Sequence, residues 1–228
     1  MAREIRLNAF DMNCVGHIQH GMWTHPRDRS SDYTDITYWT ELARTLEPGL
    51  FDGIFLADVV GVYDVYEGSP DAALRNAAQV PVNDPMLLIP AMAVATQHLG
   101  CGVTCNTTYE PPYLFARRMS RLDHLTRGRI GWKDGAMLRD RARGVFSDPA
   151  RVHSVRQESG AYRMNAIRTV MPECIVDFVD LVVPVLQERG AHKRAYAPGT
   201  LREKLFGTGR AQLPASHPAA RVRAREPA

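Results

Sequence analysis

The chain has 228 residues, of which 45% are hydrophobic and 8% aromatic, and carries a formal net charge of +3. These values describe ordinary globular material and exclude a chain too polar to bury a core. The longest apolar run, 86–95, is shorter than the roughly 20 residues a membrane helix needs, and residues 1–10 carry charges where a secretory signal needs an apolar core. Cys14, Cys101, Cys105 and Cys174 form no C-x-x-C pair and are too few for a disulfide framework. A cytoplasmic protein with reduced thiols and no membrane association is expected.

The charge is unevenly placed. Residues 201–228 hold six basic and two acidic side chains, so this stretch carries +4 and the rest of the chain −1. A nearly neutral body with a basic, Pro- and Ala-rich tail argues for a disordered terminus and against a nucleic-acid groove.

Read in chain order, 5–10 is a first short apolar strand. A long polar loop with Asn13, His17, His20 and His25 follows, and loops of that length in a compact domain are usually functional or disordered. The spacing of Trp39, Leu42, Ala43 and Leu46 predicts a helix over 38–47, with Asp35 as N-cap and Pro48-Gly49 as its stop. The nearly all-apolar run 51–57 is a second, buried strand ending at Asp58. After another long loop, Asn83-Asp84-Pro85 opens a helix reaching His98, with Asp84 as cap and Pro85 at its first position. The third strand is 101–107. Pro111-Pro112 opens a helix to about Thr126 with Leu114, Phe115, Met119, Leu122 and Leu125 on one face, Gly128 caps it, and 129–132 begins a fourth strand. Residues 133–164 read as irregular, apart from a short helical piece at 136–143. A last strand is expected at 165–170, then an amphipathic helix over 175–189 kinked by Pro184.

Alternation of this kind implies parallel strands joined by helical crossovers, in an α/β sheet covered by helices. The long loops follow strands one and two, at their carboxyl ends, as in a (β/α)8 barrel whose active site lies on that face; a doubly wound sheet fits the same alternation. Five strands are counted where a closed barrel needs eight. The expected architecture is therefore an incomplete TIM-like barrel: a single domain over 1–200, made of four N-terminal β/α units (1–132), the irregular segment and a C-terminal strand and helix (165–200), followed by the tail.

Asp58 stands at the carboxyl end of a buried strand, where barrel sites take their polar groups, although an Asp there also serves as a plain turn cap. Thr104, Asn106, Thr107 and Thr108 add hydroxyls and an amide at the end of the third strand; β-propensity accounts for the threonines but not for Asn106. Cys14, His17, His20 and His25 have residue types that zinc and copper favour, but no paired carboxylate accompanies them, and pocket lining by His17 or His20 is the better reading. No dinucleotide fingerprint, Walker loop, nucleophile elbow or H-E-x-x-H motif is present.

Five stretches are distinctive in combination: Asn8-Ala9-Phe10; His20-Gly21-Met22-Trp23-Thr24-His25-Pro26; Phe51 through Asp58 (FDGIFLAD); Tyr109-Glu110-Pro111-Pro112-Tyr113; and Leu122 through Arg129 (LDHLTRGR). Together they resemble the bacterial luciferase-like flavin monooxygenases, in the branch of nitrilotriacetate monooxygenase component A and dibenzothiophene-sulfone monooxygenase. The resemblance is nearly continuous over 4–132, and segments at 144–149, 177–187 and 200–203 resemble the middle and end of the same family. It implies a TIM-like barrel that uses O2 and reduced FMN, the flavin coming from a separate NAD(P)H-dependent flavin reductase, to oxygenate a small organic substrate such as an aminocarboxylate or organosulfur compound. By family position Asp58, Thr104 and Asn106 would contact the flavin, and Phe10 and His20 would face the substrate.

The family pattern is interrupted after Trp132 and between Tyr162 and Ile167, which removes the segments that would hold the flavin phosphate. This predicts a bare edge at strand four, a last strand lying beside strand one, association into a homo-oligomer through the open edge, and weakened flavin affinity. The alternative is a catalytically inactive remnant or an interaction protein; a metal-binding module built on Cys14 and the histidines is a third reading.

Overall fold

The computed structural model describes residues 5–19, 21–105, 110–134, 163–167, 169–212 and 214–216. Five strands, β1 (Arg6–Met12), β2 (Gly53–Ala57), β3 (Gly100–Cys105), β4 (Ile130–Asp134) and β5 (Arg163–Ile167), form one sheet in the order β4-β3-β2-β1-β5. Every neighbouring pair is parallel. The last strand lies beside the first, as expected, and among the described residues β4 and β5 are the sheet's edges.

Parallel strands need crossover connections, and the helices supply them. Helix α1 (Ile36–Leu46) joins β1 to β2, with Asp35 Oδ1 accepting from Thr37 N at 2.8 Å as its N-cap. Between β2 and β3 lie α2 (Asp71–Arg75) and α3 (Ile89–Ala95), and α4 (Pro112–Thr126) leads into β4. After β5 come α5 (Glu173–Asp177), a π-helical stretch (Phe178–Val182), α6 (Val183–Glu188) and α7 (Leu201–Phe206).

Alternation along the strands divides the sheet into two faces. Leu7, Ala9, Ile54, Leu56, Cys101, Val103 and Cys105 face the helices and form the core with Trp39, Leu42 and Leu46 of α1, Ile89 and Met92 of α3, Leu122 of α4 and Ile175 and Val183. Asn8, Phe10, Phe55 and Gly102 occupy the alternate positions and are only half-buried. The core is thus one-sided, a helix layer on a sheet whose other face remains open among the described residues.

Two polar anchors hold the layers together. The Arg129 guanidinium is buried and donates to Ala93 O at 2.6 Å, Thr126 O at 2.9 Å, Thr96 Oγ1 at 3.0 Å and Leu99 O at 3.1 Å, binding the ends of α3 and α4 to the start of β3. Burial lowers its pKa, but neutral acceptors on several sides keep a buried cation tolerable. Beyond the end of α1, the Glu47 carboxylate accepts from the backbone N–H groups of Gln97, His98 and Leu99, fixing the turn that starts β3.

Several expectations are corrected. The helix expected over 85–98 breaks into a 3-10 turn at Pro85–Leu87 and the shorter α3, because Pro90 cannot donate within a continuous helix. On α4 only Leu122 and Thr126 are buried, with Phe115 and Met119 partly so, whereas Leu114 and Leu125 are about half exposed: the inward stripe is 115-119-122-126. β5 begins at 163 and ends at 167, two to three residues earlier than expected, and β4 runs on to Asp134. The C-terminal helix is interrupted over the five π-helical residues before Pro184, as expected from a proline whose ring crowds the preceding turn. The segment expected to be disordered from 201 starts instead as α7, closed by a capping box in which Thr200 Oγ1 accepts from Glu203 N and Glu203 accepts from Thr200 N. The helical piece expected at 136–143 lies outside the described residues.

Candidate functional site

Strand register sets out the open face in rows. Phe10 on β1 pairs with Phe55 on β2, Phe55 with Gly102 on β3, and Gly102 with Gly131 on β4. Two aromatic rings, 5.6 Å apart between centroids, therefore stand beside two positions that have no side chain at all. Glycine inside a strand weakens it and marks a place where something approaches the backbone closely. At Gly102 a Cβ would meet Phe55 Cδ2 at 3.2 Å, so the recess is bounded by that ring; at Gly131 a Cβ would meet nothing nearer than 3.8 Å.

The next row toward the carboxyl ends carries the polar groups. Thr104, buried, pairs with Lys133 in register, and Leu56 pairs with Val103, so Asp58, just past β2, falls at the same end of the sheet as Thr104 and Cys105. Burial, then the charge of Asp84, raises the Asp58 pKa against the opposing pull of the Val59 N–H. Burial and Glu110 likewise raise the Cys105 thiol, with smaller contributions from Asp84 and Asp58. Asp58, Asp84, Cys105 and Glu110 thus share one electrostatic neighbourhood, balanced by Arg118, which pairs with Glu110 at 2.9 Å.

Two loops close over this end. Cys14 bridges to Val82 and Gly16 to Ala78 in the backbone, Asn83 N donates to Asn13 O at 2.9 Å, and Gln79 Nε2 donates to His17 Nδ1. His17 in turn lies against Phe10, with ring centroids 5.0 Å apart. Ala77 and Gln79 are both left-handed, at φ 49° and 60°, each at a cost on the order of 1 kcal/mol that a ligand clamp commonly stores. Asn13 Oδ1 and Gln79 Oε1 are buried acceptors with no partner among the described residues. Such atoms call for a donor that a ligand or water would bring.

Asp58 makes a pH test available. A carboxyl whose folded pKa lies above its unfolded value destabilises the fold as pH rises from below the ordinary Asp range, about 3.9, up through the folded value, because the folded site holds the proton more tightly. Asp58→Asn cannot ionise, so it is expected to be more stable than the parent at neutral pH and equal to it at pH 3. Urea unfolding at the two pH values measures the difference.

The family described as luciferase-like monooxygenase matches residues 17–151. The chain belongs to this family. It is 46% identical over 206 residues, 71% of this chain, to the long-chain alkane monooxygenase of Geobacillus thermodenitrificans (strain NG80-2), and 39% identical over 124 residues, 52% of this chain, to nitrilotriacetate monooxygenase component A of Aminobacter aminovorans. These matches take in 47% and 27% of the two relatives, so the chain spans about half the length or less of the curated relatives it matches. The crystal structure of a long-chain alkane monooxygenase superposes with a TM-score of 0.84 at 28% identity, over 98% of this chain and 100% of that one. This chain therefore shares the α/β fold of that structure.

Of the residues expected at the site, Phe10 and Thr104 share the open face of the sheet by register, while Asp58 lies at the carboxyl end of β2 in the neighbourhood of Asp84 and Cys105. His20 and Asn106 lie outside the described residues. Among the described residues no three His, Cys, Asp or Glu side chains gather as metal ligands; Cys14 Sγ donates to Gly16 O, and His25 Nδ1 accepts from Arg27 N. The sequence reading missed Phe55, Gly102 and Gln79. The first two had a readable signal, the alternation Gly100-x-Gly102 facing an aromatic strand; Gln79 had none, since its place depends on the loop crossing to His17. No described helix is long and apolar enough to cross a membrane.

Proposed function

We propose that this chain binds reduced FMN against the Phe10-Phe55-Gly102-Gly131 row and acts there as a monooxygenase on a small organic substrate. The observation that carries the reading is the row itself: a flat ring system needs a floor without side chains, and Gly102 and Gly131 supply one, walled by Phe55. Thr104 and Asp58 would contact the flavin from the carboxyl end, with Asp58 able to hold or release a proton because burial and Asp84 raise its pKa. The bound flavin would supply two electrons to O2, one oxygen atom going to the substrate and the other to water. Phe10 and His17 would form the substrate wall, and the 13–19 and 77–84 loops would exclude water.

The flavin would arrive already reduced from a separate NAD(P)H-dependent reductase. An apolar or weakly polar substrate suits the Phe10 and Phe55 wall; the names of the relatives, which include alkane and nitrilotriacetate monooxygenases, support a small organic molecule without selecting one. Pairing of the β4 and β5 edges with a second copy would give a homo-oligomer and cover backbone groups that an open edge exposes.

A second reading, a non-catalytic remnant, is favoured by one specific observation. The match to the alkane monooxygenase extends over 206 residues, more than 71% of a 228-residue chain contains, so the relative has an internal stretch without counterpart here. Turnover decides between them: purified chain, FMN, a flavin reductase, NADH and O2 with octadecane, dimethyl sulfide and nitrilotriacetate in turn. Oxygenated product, absent when the chain is omitted, is expected; hydrogen peroxide alone with all three, under conditions where a full-length relative forms product, supports the remnant.

A further inference from the structure

A second polar recess lies at the opposite end of the sheet, among the residues that precede or begin the strands. It is a cavity of about 290 Å³ lined by Arg6 at the start of β1, Asp52 just before β2, and Lys193, Tyr196 and Lys204 from the C-terminal segment, with Ile5, Ala195 and Ala197. Three cations thus surround a single carboxylate.

The partners of each cation show where the charge remains unbalanced. Asp52 is largely buried; its Oδ2 accepts from Leu7 N at 3.1 Å, while its Oδ1 takes Lys193 Nζ at 2.6 Å and lies 3.7 Å from Arg6 Nη1. Arg6 also donates to Lys204 O at 2.7 Å and Leu205 O at 3.2 Å, the carbonyls of the last turn of α7. Lys204 makes no direct ion pair among the described residues, and Glu47 and Asp52 act on it only from beyond 4 Å. Its Nζ instead donates to His98 Nδ1 at 3.2 Å and stands 5.3 Å from the centre of the Tyr196 ring, over which Lys193 stands at 5.4 Å. Burial first, then the charges of Lys193 and Arg129, lower the Lys204 pKa against the opposing pull of Glu47 and Asp52.

The surroundings are held by contacts on several sides. Tyr196 is fixed by its hydroxyl, which donates to Phe51 O at 2.8 Å and lies 3.2 Å from Glu47 O, and its ring packs on His98 at 4.5 Å. α7 is held by its capping box and by Leu201, whose Cδ2 lies 2.7 Å from where a Cβ on Gly100 would stand. A preorganised recess with excess positive charge favours an anion more than a flexible lysine patch would, because ordering costs are already met.

We propose that this recess binds a small dianionic oxyanion of the phosphate type, held by Lys204 and Lys193 beside Arg6. The cavity exceeds the size of a bare phosphate and admits a phosphate monoester of a small alcohol, so the oxyanion is either free or the end of such a molecule. The site lies at the amino ends of the strands, away from Asp58 and Thr104, and does not depend on the flavin reading.

Calorimetric titration with inorganic phosphate and, separately, with glycerol 3-phosphate tests it, against sodium chloride at matched ionic strength. Saturable binding is expected for the parent, and the tighter of the two ligands identifies the source. Lys204→Gln is expected to weaken binding by about tenfold or more, the loss of one charge-assisted contact, and Lys204→Arg to retain it, with reduced-FMN affinity the same in all three proteins. Heats no larger than the chloride control, or equal affinity of parent and Lys204→Gln, overturn the proposal. If phosphate occupied a flavin site instead, Lys204→Gln would bind it as the parent does.

Discussion

Arg129→Met is expected to lower the unfolding free energy by about 3 kcal/mol or more, a large share of the 5–15 kcal/mol that holds a domain together. The substituent has similar length and no donors. Ala93 O, Leu99 O, Thr126 O and Thr96 Oγ1 would each lose a bond from the guanidinium, and buried acceptors left without partners cost more than the bonds themselves contribute. These acceptors lie on α3, at the end of α4 and at the start of β3, so a single substitution loosens the helix layer over the whole β3–β4 side. Arg129→Lys retains the charge but has neither the fork geometry nor the reach to serve four acceptors, and should fall between the parent and Arg129→Met. Urea unfolding followed by far-UV circular dichroism reads both differences.

The second large effect is on binding. Gly102→Val places a branched side chain in the recess between Phe55 and Gly131. A strand tolerates valine, and the Cβ contact to Phe55 Cδ2, 3.2 Å, can be relieved by a few tenths of an ångström of ring movement. Folding stability should therefore stay within about 1 kcal/mol of the parent. Reduced FMN, in contrast, is expected to bind about a hundredfold more weakly or not at all, because the valine occupies space where the flat ring would lie and overpacked sites relax only partly. Loss of binding with an unchanged melt separates a blocked site from an unfolded protein.

The physical origin of each element explains which parts of this account were legible in the sequence. Strand order could be read because apolar runs such as 51–57 and capped helix starts such as Asp35 and Asp84 follow local rules, and parallel connectivity leaves few arrangements open. Asp58 and Thr104 could be read as strand-end residues because a strand's carboxyl end is a position in sequence as well as in space, whereas Phe10, inside β1, was expected at the site only through the family resemblance. The inward stripe of α4 was misread because apolar residues at 114 and 125 satisfy helical spacing equally well, and only the angle at which α4 meets the sheet selects 115, 119 and 122. Gln79 and the Lys193–Asp52–Arg6 group were out of reach, since each joins residues more than 40 positions apart that no periodicity connects. α7 was hidden by the composition of the residues after it, although Thr200-x-x-Glu203 is a capping signature that a closer reading of the tail could have used.

The central claim is that the open face of the sheet is a flavin site, and anaerobic titration of the purified chain with reduced FMN tests it most directly, followed by flavin fluorescence alongside the melting temperature. Saturable binding with a raised melting temperature, diminished in Asp58→Asn and lost in Gly102→Val while Lys204→Gln binds as the parent does, is the predicted result. A folded parent that shows no saturable binding, or a Gly102→Val protein that binds reduced FMN as tightly as the parent, would contradict the account.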